Sequence, residues 1–425
     1  MKKDLIAVLF IFLITPLVWW QSLFNFFTQD DFILIWHFSQ NNLVSDLKNV
    51  FGQPITHWRP VHNLYYFIGG NLFEKNYIGF HLLTLAFQGL TAFFVFKIGR
   101  ILTKNGSSSL AVSILYLVHP AHFVSMFWIS GTVPTVGFLL LTASLWSFLI
   151  KRKGVSLLFF VLAIFASETM SLGFFIFAAY EFLFKRKKID KQFLSLVGSI
   201  SLIFLVVRLA LFIPRTAFDI YKPEISYKVL WALKYYIFRI AGFAEPSGDK
   251  LLTILLLAWL LSMAVLLIKD LSKDKRHINS VFFPLLIIII GLFPFILIPS
   301  HLSPHYMNIS IFGFSLFLST VLKPLKPLFS LAAVLAFIVI AIVNISLTKG
   351  NNWVIKRSNI AKGYLYEIEK QNLPEGSVLV FGETAISTSE DAYISLGTGE
   401  AIKFWFKNKN YKTCFTRFEK CPTLP

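Results

Sequence analysis

The sequence predicts an all-α polytopic membrane protein with about eleven transmembrane helices, a cytoplasmic N-terminus and a small α/β-type extracytoplasmic C-terminal tail. Hydrophobic residues make up 56% of its 425 residues and charged residues only 15%, whereas soluble domains average roughly 45–50% and 25%. The mean hydropathy is +0.67, and long apolar runs recur along the chain. These values exclude a disordered chain and an ordinary cytosolic enzyme, and two cysteines exclude a disulfide scaffold.

The predicted spans are apolar runs close to the length of about 20 residues that a transmembrane helix needs. They lie near residues 5–24, 77–99, 108–125, 131–150, 154–167, 170–184, 191–213, 250–268, 279–299, 305–322 and 328–347. The fifth and sixth are short. Lys2 and Lys3 precede the first run and no small-residue cleavage site follows it, so this run is interpreted as an uncleaved anchor.

Basic residues concentrate on one side of the predicted membrane. With a cytoplasmic N-terminus, the inside segments carry Lys2, Lys3, Lys97, Arg100, Lys104, Lys151, Arg152, Lys153, Lys185, Arg186, Lys187, Lys188, Lys191, Lys269, Lys273, Lys275, Arg276, Lys323 and Lys326. The short outside turns at 126–130, 168–169 and 300–304 contain no Lys or Arg. This asymmetry follows the positive-inside rule. The net charge of +18 therefore indicates orientation in a plasma (inner) membrane rather than a nucleic-acid partner.

Three extracytoplasmic segments are long enough to carry function: 25–76, 214–249 and the tail 348–425, which follows a transmembrane domain of residues 1–347. The middle segment mixes apolar residues with Trp231, Lys234, Tyr235, Tyr236 and Arg239, which predicts a helix lying in the membrane interface. In the tail, residues 377–381 are predicted to form a strand. Because the tail is predicted outside, Cys414 and Cys421 could form a disulfide there.

The first outer segment opens with two adjacent carboxylates, Asp30 and Asp31. One carboxylate can act as a general base while the other orients it or raises its pKa. A structural interpretation is also open, since Thr28 as N-cap with Asp31 three residues later forms a capping box.

Further along lies the motif His57-Trp58-Arg59-Pro60-Val61-His62. Arg59 could clamp a phosphate through its planar fork or anchor the chain at the headgroups. Other polar side chains predicted near the same face are His119, His122, Glu168, Arg208, His301, His305 and Tyr306. Ionisable residues at membrane depth are candidates for function, although the histidines could also be packing residues and Glu168 and Arg208 a structural pair. His301 and His305 are separated by Pro304, which argues against a metal site.

This ordered set of motifs resembles the GT-C superfamily of membrane glycosyltransferases. The nearest pattern belongs to the transmembrane O-mannosyltransferases that carry tetratricopeptide repeats, and a more distant one to the protein O-mannosyltransferases. The resemblance covers roughly residues 25–184, with a weaker match at 305–308, and the repeats are absent here.

The resemblance implies a polyprenyl-phosphate-linked donor of mannose or another hexose, a protein, lipid or glycan acceptor on the extracytoplasmic side, and inversion at the anomeric carbon. It places the family's paired acids on Asp30 and Asp31, one of them the base. The remaining family motifs fall on Arg59-Pro60, on His119, Pro120 and His122, and on Glu168. The chain departs from the pattern at Val124, at Gly131-Thr132-Val133-Pro134, at Ser167 and at His305, which leaves an inactive relative as an alternative.

The residues themselves support a matching mechanism. Arg59 and Arg208, with His305, would neutralise the departing phosphate, while Asp30 or Asp31 removes the proton of the acceptor hydroxyl as it attacks from the opposite face. No cofactor is required, although two carboxylates could hold a divalent metal. A transporter or lipid flippase is the alternative from another class, but it should show two related halves with broken helices.

Overall fold

The computed structural model describes residues 2–39, 42–52, 58–186, 188–211, 222–243, 249–273, 278–323 and 325–422. The helices of these ranges are α1 (Lys2–Trp19), α2 (Asp30–Ser39), α3 (Leu43–Phe51), α4 (Pro60–Phe73), α5 (Tyr77–Thr103), α6 (Gly106–Leu117), α7 (Phe123–Phe127), α8 (Val133–Leu149), α9 (Lys153–Ala166), α10 (Gly173–Phe184), α11 (Lys191–Leu211), α12 (Lys228–Ile240), α13 (Lys250–Lys273), α14 (Ile278–Ile296), α15 (Asn308–Leu322), α16 (Pro327–Asn351), α17 (Trp353–Gln371), α18 (Ser389–Ser395) and α19 (Glu400–Trp405). The strands are β1 (Val378–Phe381) and β2 (Lys412–Phe415). The predicted all-α membrane architecture with a small mixed tail is confirmed.

Eight helical segments in the described ranges are long and apolar enough to cross a membrane, so the chain is a multi-pass membrane protein. They are Asp4–Phe24, Tyr77–Thr103, Ile129–Leu149, Lys191–Arg208, Lys250–Lys269, Ile278–Ile296, Pro304–Leu322 and Pro327–Asn351.

α6 and Pro120–Phe127 are together long and apolar enough to cross, and they meet at a bend of 43°, which is the geometry of a broken span or a re-entrant loop. Pro120 explains this bend, because proline cannot continue the hydrogen bonding of a helix interior. The remaining two predicted spans are α9 and α10, of 14 and 12 residues, which are shorter than the 17 or so needed to cross alone. They are joined by a 3₁₀ turn over Glu168–Leu172.

Two side-chain contacts each join a pair of segments that are predicted to lie on the inside. Arg100 Nε lies 3.6 Å from Asp4 Oδ1, which joins the turn after α5 to the start of the chain. Asn279 Nδ2 donates a hydrogen bond of 3.0 Å to the carbonyl of Leu183, which joins α14 to the end of α10. Glu168 lies just before α10 and Arg208 in the last turn of α11, so both lie at the other ends of these helices from the basic turns.

The tail packs on the first outer segment through an aromatic core. The ring of Phe26 lies 5.2 Å from that of Trp405, and the ring of Phe27 lies 5.7 Å from that of Phe404. β1 and β2 pair in parallel, with Val378 opposite Lys412, so the predicted strand at 377–381 is confirmed to within one residue. This packing places the start of α2 against the tail.

The amphipathic helix predicted in the segment 214–249 is present as α12, although part of that segment lies outside the described residues. Leu230 and Trp231 are 68% and 62% exposed, and Lys234 Nζ lies 5.3 Å from the centre of the Trp231 ring. An exposed apolar face with a basic residue over an aromatic ring suits a helix at headgroup depth.

Cys414 and Cys421 form a disulfide, with their Cα atoms 5.7 Å apart. Disulfides persist outside the reducing cytoplasm, so we expect neither thiol to react with a maleimide–polyethylene glycol reagent in denatured membranes until a reductant is added. In the single variant Cys414→Ser, Cys421 is a free thiol. This protein should therefore be labelled, and migrate more slowly on a gel, without reductant. Labelling of both thiols in the untreated protein would instead place the tail on the cytoplasmic side.

Candidate active site

The two adjacent carboxylates stand at the N-terminus of α2 in different surroundings. Asp31 is 1% exposed and accepts three hydrogen bonds. Its Oδ2 accepts from the backbone N–H of Thr28 at 2.9 Å, and its Oδ1 accepts from the N–H and the hydroxyl of Ser130 at 2.8 and 2.6 Å. Burial raises the pKa of Asp31, and these bonds oppose that rise. Asp31 thus closes one arm of the capping box and fastens α2 to the 3₁₀ turn Ile129–Thr132.

Asp30 differs from Asp31 in its hydrogen bonding. Within the described part of the chain it accepts no hydrogen bond, and burial raises its pKa to about 6 while the charge of Arg357 lowers it. A carboxyl group with a pKa near the working pH is suited to proton transfer. Gln29, directly before it, has a φ of 55°, an uncommon conformation for a residue with a side chain.

Arg59, Glu168 and Arg208 form one charged cluster. Arg59 binds Glu168 in a bidentate pair, with Nε to Oε2 at 2.8 Å and Nη2 to Oε1 at 2.7 Å, and Arg208 Nη2 donates to the same Oε1 at 3.1 Å. Their side chains are 20%, 19% and 15% exposed. Nη1 of Arg208 is buried without a hydrogen-bond partner among the described residues. Among the described residues, two cations thus share one carboxylate.

His62 links this cluster to the carboxylates. The hydroxyl of Thr132 donates to the carbonyl of Ile129 at 2.7 Å, so it accepts from His62 Nε2, which lies 3.0 Å away. Burial and the charge of Arg59 lower the pKa of His62 to about 3, so the ring is neutral. The turn that holds Asp31 through Ser130 therefore also holds the helix that begins beside Arg59.

His305 and Tyr306 lie in the 3₁₀ turn that precedes α15. His305 Nδ1 is 2.5 Å from the hydroxyl oxygen of Ser303, and the hydroxyl of Tyr306 is 2.9 Å from His301 Nε2. The His305 side chain is buried in this turn.

His119 and His122 are buried in the helical bundle. His119 accepts from the N–H of Ala121 through Nδ1, so its Nε2 donates to the carbonyl of Ile240 at 2.9 Å. His122 Nε2 donates to the carbonyl of Tyr116 at 2.9 Å. These bonds favour a packing role over the substrate contact predicted from the motif. His57 lies outside the described residues.

Three residues that sequence reasoning missed connect the turn of His305 to Asp30. The ring of Trp128 is 6.1 Å from that of His305 and 5.2 Å from that of Trp353. The guanidinium of Arg357 stacks over Trp353 at 4.9 Å, and Nε1 of Trp128 is buried without a hydrogen-bond partner in the described ranges. Trp128 lies in the predicted outer turn 126–130, and Trp353 follows the last predicted span, 328–347. Aromatic residues at a membrane boundary could have drawn attention to them.

Among the described residues, no group of three or more His, Cys, Asp or Glu side chains is arranged to hold a metal ion.

Comparison with known proteins identifies the fold. No family model matches the sequence, and no curated protein matches it. Two solved structures of ArnT from Cupriavidus metallidurans are similar. The form bound to undecaprenyl phosphate has a TM-score of 0.59 at 11% identity over 95% of this chain and 85% of that chain. The apo form has a TM-score of 0.56 at 11% identity over 96% and 89%. The chain therefore shares the fold of these structures, a GT-C-like fold, as its motifs predicted.

Proposed function

We propose that this chain is an inverting membrane glycosyltransferase that moves a sugar from a polyprenyl-phosphate donor to an acceptor hydroxyl on the extracytoplasmic side of the plasma membrane. The observation that carries the proposal is the cluster of Arg59 and Arg208 around a single carboxylate, at the same end of the bundle as Asp30. The likeness to ArnT bound to undecaprenyl phosphate supports a donor of this chemistry.

The cluster is suited to a phosphate that gains charge as it leaves. One donor N–H group, on Arg208 Nη1, is unpaired and buried in the described part of the chain, and buried cationic donors stabilise developing charge far more than they do in water. We assign the donor phosphate to Arg59 and Arg208, with His305 and Tyr306 at its edge. The isoprenoid tail would lie between helices in the bilayer.

Asp30 is the proposed base. It takes the proton of the acceptor hydroxyl as that oxygen bonds to the anomeric carbon, and the bond from this carbon to the phosphate oxygen breaks with its electron pair on the phosphate. A single displacement of this kind inverts the configuration. We propose a hexose, mannose or another, and a hydroxyl-bearing protein, lipid or glycan as the acceptor.

The test is transfer by the purified protein in proteoliposomes. With radiolabelled undecaprenyl-phosphate mannose and, in parallel, undecaprenyl-phosphate glucose, we expect label to move to an extract of envelope acceptors only when a polyprenyl-phosphate sugar is supplied. A nucleotide sugar without the lipid should give none. The absence of transfer from either lipid donor, in a protein that binds undecaprenyl phosphate, would favour an inactive relative. Movement of the labelled lipid across the bilayer without transfer would favour a flippase.

A further inference from the structure

Three hydrogen bonds hold the segment before Asp30 to the C-terminal tail. The N–H of Gln29 donates to the carbonyl of Ser395 at 3.0 Å. Nη1 of Arg357 donates to Gln29 Oε1 at 2.8 Å. The hydroxyl of Ser358 donates to the carbonyl of Phe26 at 3.1 Å. The tail therefore binds both the backbone and the side chain of Gln29, the residue immediately before Asp30.

Gly397 allows the closest of these approaches. A Cβ atom at this position would lie 2.6 Å from the carbonyl oxygen of Gln29, and its φ of +56° is one that residues with side chains rarely adopt. Gln29 itself has a φ of 55°. Left-handed backbone at a residue with a side chain persists only where its surroundings hold it, and here the tail supplies that hold.

We propose that the tail completes the catalytic centre, with Arg357 as a positioning residue that holds Gln29 and so fixes Asp30 for proton removal. This inference rests on the proposed transferase function. It adds a residue more than 300 positions away from the carboxylate that it positions. It also gives the tail a role in the reaction besides any contact with the acceptor.

The charges around Asp30 support this assignment. On its own helix the neighbouring acid is Asp31. Tyr66 of α4 also lies close, because the charges of both acids raise the pKa of its hydroxyl. Arg357 of α17 is the cation that acts on Asp30, and Asp391 of α18 acts in turn on Arg357. Removal of the Arg357 charge should therefore raise the pKa of Asp30, since its remaining neighbours are acidic or neutral.

The test compares pH profiles of transfer for Arg357→Gln, Arg357→Lys and the control Lys370→Gln. Lys370 lies on the same helix, is exposed, and pairs loosely with Glu367 at 3.8 Å. For Arg357→Gln we expect the rising limb of kcat/KM to move by about 1 pH unit to higher pH, with a loss at pH 7 of about 10- to 100-fold. In Arg357→Lys the rising limb of kcat/KM should return to its original pH, while the rate recovers only in part. Lys370→Gln should match the unmodified protein in both respects.

Two results would overturn the inference while the proposed function stands. One is an Arg357→Gln variant with the unmodified rate and profile. The other is a variant whose rate and melting temperature fall together while the limb keeps its position, because that is the signature of a merely structural residue. The variant Gly397→Ala should lower the rate with an intact disulfide and correct membrane insertion. Failure of the unmodified protein to transfer sugar would count against the proposed function instead.

Discussion

Asp30→Asn is expected to lower sugar transfer by about 10²- to 10⁴-fold without loss of the fold. Asparagine has nearly the same shape but cannot take a proton from the acceptor. Within the described residues the Asp30 carboxylate accepts no hydrogen bond, so its replacement removes none. The measurements are initial rates in proteoliposomes at saturating donor, together with the melting temperature of the purified variant.

The matched variant is Asp31→Asn, which should lose stability rather than activity. Its carboxylate accepts from Thr28 and twice from Ser130, and an amide cannot satisfy all three donors. We expect a loss of about 1–3 kcal/mol in the free energy of unfolding, with part of the activity kept where the variant folds. A stable but inactive Asp31→Asn protein beside an active Asp30→Asn protein would assign the base to Asp31 instead.

The pKa of Asp30 also fixes the sign of two pH effects. Burial raises this pKa from 3.8 to about 6, so the proposed base becomes ionised as the pH increases through about 6, and we expect transfer to rise over the same range. Between these two values the folded state binds more protons than the unfolded state, so this group lowers stability as the pH rises. Asp30→Asn should abolish both effects, and a rising limb that survives in its residual activity would contradict the assignment.

The sequence predicted the location of the site better than its internal contacts. Span alternation follows from local hydropathy and from the positions of Lys and Arg, and it placed Glu168, Arg208 and His305 at the same end. A pair of Glu168 with Arg208 was one of the alternatives considered from the sequence, but no sequence spacing indicates that Arg59 binds the same carboxylate. The bend at Pro120 was available from proline chemistry, although the sequence was interpreted as one continuous span.

The contribution of the tail could not be predicted. The contact of Arg357 with Gln29 joins positions 328 residues apart, and no local pattern marks an arginine in a polar helix as part of a distant site. The conformation of Gln29 is equally hidden, because glutamine carries no preference for positive φ. For His119 and His122 the sequence left function and packing open, and their bonds to backbone carbonyls favour packing.

Arg208→Gln is expected to reduce transfer by about 10²- to 10³-fold and to raise the KM for the lipid donor. The substitution removes one of the two positive charges beside Glu168, so the departing phosphate loses that charge and the buried Nη1 donor. The measurements are donor titrations of the transfer rate, and binding of undecaprenyl phosphate by quenching of intrinsic tryptophan fluorescence.

The control is Lys191→Gln at the other end of the same helix, α11. It removes one positive charge in the same way, yet lies at the end of the bundle that carries the basic turns, so its rate and KM should be unchanged. Arg208→Lys keeps the charge without the planar fork and should fall between the two. A rate for Arg208→Gln equal to that of Lys191→Gln would exclude the cluster as the phosphate site. A defect in both variants would show that the loss reflects net charge rather than this geometry.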